Sequence, residues 1–256
     1  MPEKRKSTEE LVKSFEEAGA GQDPTELAVE AALSRASWIA KNDYVQLTHD
    51  VIKKLLGKKL AGLDPEKIVQ PEPYIGVPVL RALSYSMDSG ELRYMYLTLL
   101  ANAMDPDTKS LVHPSFVHLI EQMSPLDARI FKLLAEMPRI PMITIFGKDR
   151  ETGELAPLLK HIIPNADIAP FPDVTRSLAN LSRCGLIRLL EDKYYPDEDD
   201  YDVIRTDNNY RALYYELLET FGADCELEEE PQMIEVTDSG RAFYAACLKE
   251  KNREGA

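Results

Sequence analysis

Residues 178–187 read LANLSRCGLI, and this stretch decides how the C-terminal half of the 256-residue chain folds. Leu178 and Leu181 give an amphipathic helix its apolar side, and an apolar run begins directly after Gly185. A chain that leaves a helix commonly passes through a left-handed residue, which glycine adopts without steric cost. The stretch therefore predicts a helix that ends at Gly185 and continues as a strand over 186–190.

The segment before this corner begins with a clear helix start. Ser124 is a typical N-cap, Pro125 suits the first helical position, and apolar residues follow at helical spacing. Residues 140–146 then read as a short strand, and Pro141 confines it to a sheet edge or to the beginning of the strand.

Further elements complete an ordered pattern. Apolar spacing predicts a helix near residues 154–162, and Asp173 is the predicted N-cap of the next helix. A second strand is predicted over 233–237, and residues 238–240, reading DSG, open a last helix. From residue 124 onward the order is helix, strand, helix, helix, strand, strand, helix, which is the order of a winged helix.

The N-terminal half is predicted to be helical throughout. In its clearest helix, apolar residues recur at i, i+3, i+4, i+7, i+8 and i+11; they are Leu92, Met95, Tyr96, Leu99, Leu100 and Ala103. Prolines predict a linker over 70–75, after which Pro78 opens a helix. We therefore expect a mainly α chain with a flexible arm (1–22), a helical domain (23–123) and a winged-helix-like domain (124–256).

The acidic charge is concentrated in one segment. The chain carries a formal net charge of −14, and residues 191–231 alone hold 15 acidic and 3 basic residues. This segment separates the two strands of the predicted wing and contains an amphipathic helix around Tyr210 and Leu217. We predict an acidic helical lobe inserted in the wing. It is a plain solvated insertion, a surface for a basic protein partner, or a cover that mimics phosphate over Arg176 and Arg183.

Four polar residues are the candidate contact residues of the C-terminal half. Arg176, Asn180 and Arg183 are spaced i, i+4 and i+7 on the predicted recognition helix, and Arg188 follows in the strand. In a DNA-binding winged helix, the three helix residues would enter the major groove and Arg188 would contact a phosphate from the wing. The ordinary alternative is the solvated face of an amphipathic helix. So few arginines beside an acidic lobe favour a protein partner over DNA.

The sequence offers no pattern for a catalytic, cofactor or metal site. It contains neither a GxGxxG nor a GxxxxGK[ST] phosphate loop, and neither an HExxH nor a CxxC metal motif. The cysteines are too few and too far apart for a disulfide framework, and two of them, Cys184 and Cys247, are predicted to be small buried apolar residues. Cys225 is the third. We therefore expect a protein that is not an enzyme and that binds no cofactor or metal.

Two weak motifs run against this expectation. His113 and Ser115 suggest a nucleophile with a base, but a serine after a proline at a helix start is more often a capping residue. Residues 105–110, DPDTKS, are similar to the start of a calcium loop but lack its glycine. The chain also contains neither a secretory signal nor an apolar run long enough to span a membrane, so a cytoplasmic protein is expected.

A string of motifs in the middle of the chain points to a family. They are IGVP at 75–78, LLANAM at 99–104, VHPSFV at 112–117 and QMSPLDA at 122–128. Together they resemble the bacterial abortive-infection alpha family, over about residues 70–190 with the corner near 237–247 added. The resemblance implies a role in defence against phage, in which the infected cell stops growing or dies. It brings no catalytic residues with it.

The expected function follows from these two lines of reasoning. We expect a non-enzymatic interaction or sensor protein of phage defence, whose winged helix serves contact with a protein partner or self-association, for example as a homodimer. A DNA-binding transcriptional regulator that uses Arg176, Asn180, Arg183 and Arg188 is the alternative.

Overall fold

The computed structural model describes residues 23–34, 43–164 and 168–249, so the predicted N-terminal arm lies outside the described residues. The described chain forms two compact units. The first takes in the residues up to 125 and those from 242 onward, and the second takes in residues 126–241. The division at 125 lies beside the predicted boundary at 123, whereas the end of the last helix belongs with the N-terminal residues.

The first unit is helical in its described part. Its helices are α1 (Pro24–Ser34), α2 (Asp43–Leu60), α3 (Pro73–Ser86), α4 (Gly90–Ala103), α5 (Ser115–Glu121) and the later residues of α10 (Asp238–Cys247). Short 3₁₀ turns at Pro65–Lys67 and Lys109–Leu111 connect them.

Helix α4 lies at the centre of this unit and contacts α2, α3 and α5. Ser89 caps its start by accepting a hydrogen bond from the Leu92 N–H, and residues 95–103 are buried on all sides of the helix. A buried polar group needs a partner. Asn102 has one, because its Nδ2 donates to the carbonyl oxygen of Ala246 at 2.8 Å. The predicted apolar face of α4 is thus confirmed, but the helix is more central than a one-sided pattern implied.

The predicted linker over 70–75 is wrong in its second part, because α3 begins at Pro73. A proline at the first helical position lacks an N–H that would have no helical partner there anyway. Pro78, predicted to open the helix, lies inside it. The prolines therefore mark the start of α3 one turn earlier than the sequence indicated.

The second unit combines helices with a sheet. Its elements are α6 (Pro125–Glu136), β1 (Ile140–Asp149), β2 (Leu155–Ile162), α7 (Phe171–Arg183), β3 (Ile187–Leu190), α8 (Asp202–Arg205), α9 (Asn208–Phe221), β4 (Cys225–Val236) and the first residues of α10. The four strands form one antiparallel sheet in the order β2-β1-β4-β3.

The helix predicted near 154–162 is wrong, because this segment is the edge strand β2. Its apolar residues have helical spacing, but a tight turn before them decides the outcome. The Asp149 carboxylate accepts the N–H groups of Glu151 and Thr152, which lowers the pKa of Asp149 below its ordinary value, and Gly153 has a φ of 73°. This turn folds the chain back along β1 as a hairpin.

The starts of two further elements differ from the sequence prediction. Helix α7 begins at Phe171 rather than at Asp173, since Pro172 fits a first turn. Strand β4 begins at Cys225, well before the predicted 233. Consequently the second acidic run, Glu226–Glu230, pairs with β1 and is not part of a helical lobe. The insertion between β3 and β4 covers residues 191–224, and we refer to these residues as the lobe.

The sheet is strongly curled. In a flat sheet its two outer strands would lie roughly 14 Å apart, at about 4.8 Å for each step between strands. Nevertheless, His161 in β2 contacts Glu191, directly after β3, with 2.8 Å between Nε2 and Oε1. His161 has a φ of 62°, which bends the end of β2 toward this contact. The hydrogen bond from His161 also lowers the pKa of Glu191.

The corners that defined the winged-helix prediction are formed as expected locally. Gly185 has a φ of 71°, and β3 begins two residues later. At the second corner the Thr237 hydroxyl donates to the Gly185 carbonyl at 2.6 Å and accepts the Gly240 N–H at 2.9 Å. The mainly α composition is confirmed. However, β2 stands where a winged helix was predicted to have a helix, so the fold differs from that prediction at this point.

The lobe is packed onto one face of the sheet. Ile143 and Ile145 of β1 form a cluster with Tyr201, Ile204 and Tyr210 of the lobe, all buried. Half-buried residues of the lobe and its surroundings pack against this cluster; they are Leu159, Phe171, Tyr195, Tyr214, Leu217 and Leu227. The lobe is therefore part of the core of the second unit.

Hydrogen bonds through Tyr201 tie the lobe to β4. The buried Tyr201 hydroxyl donates to the Gln232 carbonyl oxygen at 3.0 Å and accepts the Tyr195 N–H at 2.9 Å. Tyr195 in turn accepts the Ile140 N–H at 3.1 Å through its own hydroxyl. The first residues of the lobe are thus fixed to both central strands.

No helix in the described ranges has the length and apolar character that crossing a bilayer requires.

Replacing Gly240 by alanine will destabilise the second unit. A Cβ at this position would lie 2.1 Å from the Leu186 carbonyl oxygen and 2.9 Å from a Val236 methyl carbon. Because a backbone atom cannot move aside cheaply, we expect a loss of about 1–3 kcal/mol in the free energy of unfolding. Chemical denaturation will measure this loss. Gly90→Ala is the matched control, since no atom lies within 4 Å of the added carbon, and its stability should be unchanged or slightly higher.

Replacing Tyr201 by phenylalanine will loosen the lobe. The substitution keeps the ring but leaves the Tyr195 N–H and the Gln232 carbonyl without this partner. An unmade hydrogen bond at a buried group costs about 1–3 kcal/mol, which urea unfolding will detect. Tyr215→Phe, on the exposed side of α9, serves as control. Equal stability of the two variants would show that the hydroxyl of Tyr201 does not hold the lobe.

Candidate interaction surface

Helix α7 carries the first of the predicted contact residues. Val174, Leu178 and Leu181 are buried and fix its orientation. Arg176 points outward, with 77% of its side chain exposed, and pairs with Asp173 one turn earlier at 3.1 Å. The guanidinium of Arg176 is therefore accessible, but an acidic neighbour compensates its charge.

Asn180 belongs to a structural network and does not face solvent freely. Its Nδ2 donates to Oδ2 of Asp127 at 3.0 Å, and Asp127 is buried in the first turn of α6. The Asn180 Oδ1 accepts hydrogen bonds from Nε and Nη2 of Arg183, at 3.1 and 2.8 Å. This chain of contacts links α6 to α7, so the amide of Asn180 already has partners on both of its ends.

Arg188 lies on β3, one corner beyond α7. It stands directly opposite Glu235 in the register of β3 and β4, and the two side chains form an ion pair of 2.7 Å. The Arg188 side chain is 61% exposed. As in the case of Arg176, the charge is accessible but compensated.

Together these residues form a surface of alternating charge. We refer to Asp173, Arg176, Arg183, Arg188 and Glu235, which lie on α7 and on the adjoining strands β3 and β4, as the mixed-charge surface. Exposed ion pairs of this kind contribute only about 0–1 kcal/mol each to stability. A partner with complementary charges can therefore exchange them for its own at small cost.

The lobe does not cover this surface. Its apolar side packs on Ile143 and Ile145, and Arg176 and Arg188 remain largely exposed with partners from their own or the adjacent element. The contacts of Arg176 therefore do not support the alternative in which the acidic lobe covers Arg176 and Arg183 as a phosphate mimic. One acid of the lobe, Asp200, forms an ion pair with Arg139 at 2.6 Å.

Arg205 forms ion pairs with acids of the second unit. Its guanidinium pairs with Glu229 at 2.9 Å and with Glu198 at 3.1 Å. Glu229 also accepts the hydroxyl proton of Tyr210, and burial together with this carboxylate raises the pKa of Tyr210. This cluster connects the lobe to β4, and its groups have structural partners.

The contacts seen for the two weak motifs of the first unit are local. The Nδ1 atom of His113 accepts the Ser115 N–H at 3.2 Å and lies 2.6 Å from the Ser115 hydroxyl, with both residues exposed. This is a cap at the start of α5. The buried Asp105 accepts the Asp107 N–H at 2.9 Å, as in an Asp-rich turn. Within the described ranges, no group of three or more His, Cys, Asp or Glu side chains is arranged to hold a metal ion.

Sequence reasoning missed the acidic partners of three predicted residues, Arg176, Asn180 and Arg188. Asp173 was recognisable, because it precedes Arg176 by three residues on a helix. Glu235 and Asp127 gave no such signal, since their contacts depend on strand register and on the packing of α6 against α7.

Most of the chain matches a known protein family. The model of the abortive infection alpha family matches residues 44–247. The chain belongs to this family. The matched range contains the second unit and most of the first, and the lobe lies within its bounds.

Other comparisons add little to this assignment. No curated protein matches the chain. Among solved structures, an uncharacterised protein from the hydrocarbon-degrading marine bacterium Alcanivorax borkumensis SK2 is 16% identical, with a TM-score of 0.32. The match covers 54% of this chain and 92% of that one. A similarity at this level supports no argument about fold or function.

Removing the amide of Asn180 will destabilise the protein, whereas removing the guanidinium of Arg176 will not. Asn180→Ala deprives the buried Asp127 carboxylate of a donor, and we expect a loss of about 1–3 kcal/mol. Arg176→Ala removes only an exposed ion pair, so its effect should stay within about 0.5 kcal/mol. Urea unfolding of both variants measures the difference. If Asn180→Ala is as stable as the wild type, the assignment of this residue to the structural network is wrong.

Proposed function

We propose that this member of the abortive infection alpha family acts in phage defence as a non-enzymatic interaction or sensor protein, and that its mixed-charge surface contacts a protein partner. The family supplies the association with abortive infection. The observation that carries the proposal is that Arg176 and Arg188 are exposed and each is paired with an acid from its own unit.

Charge balance favours a protein over DNA as the partner. To contact phosphates, Arg176 and Arg188 would have to leave Asp173 and Glu235, and both carboxylates would then face the DNA backbone. Two phosphate contacts are also few, because a protein that binds duplex DNA well makes about 6–10. Alternating charge, by contrast, suits the polar rim of a protein interface.

Base reading is disfavoured as well. Of the four predicted residues, Asn180 is the one suited to a bidentate contact with adenine. Its amide group is engaged by Asp127 and Arg183 within the second unit. A regulator would need to break this network before it could read a base there. The winged-helix-like corners at Gly185 and Thr237 are therefore proposed to support a protein-docking surface.

The proposal predicts that charge reversal on this surface will impair defence. In cells that express the protein and restrict a phage, the double variant Arg176→Glu/Arg188→Glu should lower protection, measured as plating efficiency and survival after infection. Both side chains are exposed, so the fold should persist. Lys193→Glu, which reverses one exposed charge in the lobe and so makes half of this charge change, is the control and should protect as the wild type does. Protection that is unaffected by the double variant would contradict the proposal.

The alternative of a DNA-binding regulator is tested with the intact chain. We expect no retardation of duplex DNA at low salt. A salt-sensitive shift that disappears in Arg176→Glu/Arg188→Glu would establish the regulator instead. Deletion of the acidic segment is not a suitable test, because it would uncover Ile143 and Ile145 and cut into β4.

A further inference from the structure

Strand β4 is paired along most of its length on one side but only near its end on the other. β1 pairs with residues 225–234, whereas β3 pairs with residues 233–236. In the described part of the chain, no strand lies along the outer edge of residues 225–232. The backbone groups of residues 226–231 make no backbone hydrogen bond to described residues other than those of the sheet ladder. An unpaired edge of this kind is a template for an additional strand.

Glutamates recur at every second position along this edge. Side chains alternate between the two faces of a strand, so Glu226, Glu228 and Glu230 share one face. Contacts to β1 confirm the alternation, since Glu228 pairs with Lys148 at 2.8 Å on that face. Glu226 and Glu230 are exposed and form no ion pair with any residue that the structure describes. The spacing between neighbouring glutamates is roughly 7 Å, or two residues of a strand.

The other face of the same segment is fixed by the lobe. Leu227 packs against the cluster of Ile143, Ile145 and Tyr210, and Glu229 is held by Arg205. The backbone of the edge is therefore supported from beneath by packing and by an ion pair. A rigid edge loses little conformational entropy when a segment binds to it.

We propose that the outer edge of β4 binds an extended basic segment of a partner protein by strand addition, with lysine or arginine at every second position opposite Glu226, Glu228 and Glu230. Backbone hydrogen bonds supply the affinity of such an arrangement, and the alternating side chains supply its specificity. This function is separate from the mixed-charge surface, because it uses different residues on a different edge of the unit.

The charge of the β4 edge favours a basic segment over a second copy of the chain, a nucleic acid or a neutral strand. Two copies of the chain that joined their β4 edges would set glutamates against glutamates, and like charges opposite each other on paired strands are destabilising. Nucleic acid is repelled by the same carboxylates. A neutral strand would gain the backbone hydrogen bonds alone, whereas a basic strand gains cross-strand ion pairs at Glu226 and Glu230 as well.

The experiment measures binding of the full chain to short capped peptides by fluorescence anisotropy. In the first peptide lysine alternates with valine or threonine. The second has the same composition with the lysines in one block, and the third is the first with N-methyl groups on alternate amides, which removes edge hydrogen bonds. We expect the first to bind, and the other two to bind at least about tenfold more weakly.

Variants of the protein complete the test. Glu226→Lys/Glu230→Lys should weaken binding of the alternating peptide at least about tenfold, while Glu226→Gln/Glu230→Gln should weaken it less. The control Glu216→Lys/Glu219→Lys makes the same charge change on the exposed side of α9 and should bind as the wild type does. Circular dichroism checks that each variant is folded.

Three results would overturn the inference. Absence of binding by the alternating peptide would show that the glutamates only prevent the edge from pairing. Equal binding of the alternating and the block peptide would indicate attraction by an acidic patch without strand addition. Undiminished binding of the N-methylated peptide would exclude hydrogen bonding at the edge. None of these results bears on Arg176 and Arg188, so this proposal and the proposed function fail independently.

Discussion

The second unit depends on covering the apolar face of β1. Ile143 and Ile145 are fully buried, and the cover is supplied by the lobe through Tyr201, Ile204 and Tyr210. Both faces of β1 are covered, because Met142 and Thr144 are buried as well as Ile143 and Ile145, and removing large apolar side chains from contact of this kind costs several kcal/mol. The insertion therefore stabilises the sheet into which it is inserted. Its acidic residues lie outside, where their charges remain solvated or are paired with Arg139 and Arg205.

This dependence explains how an acidic insertion coexists with a stable sheet. Hydrophobic contact alone does not fix orientation, whereas the hydrogen bonds of Tyr201 and Tyr195 do, because each satisfies backbone groups at defined positions. With the lobe held in this way, Leu227 and Glu229 are fixed on one face of β4. The glutamates at even positions are consequently turned to the opposite face, and no strand of the described ranges pairs with the outer edge between the two faces.

The sequence predicted local structure well where one residue type or one period dominated. The apolar spacing of α4, the left-handed Gly185 and the strand after it were all readable, because each depends on neighbours in the chain. The prediction of a helix over residues 155–162 is wrong because it rests on the helical spacing of leucines. The turn at Gly153 and the pairing with β1 make this segment a strand, and the pairing cannot be read from local sequence. The extent of β4 was missed for a similar reason. Its run of glutamates has low strand propensity, and pairing with β1 overrides it.

For the predicted contact residues as well, the sequence indicates local spacing but not contacts with distant parts of the chain. Helical spacing identifies Arg176 and Arg183 as neighbours on one face of α7. It does not show that Arg176 pairs with Asp173 or that Arg183 donates to Asn180. Arg188 faces Glu235 because burial of Ile234 fixes the register of β3 and β4, and a slip of one residue would turn Arg188 inward. The ion pair between Arg188 and Glu235 is thus imposed by the fold. Because Arg176 and Arg188 are matched with acids by helix spacing and by register, the partner proposed for this surface is one that brings both signs of charge.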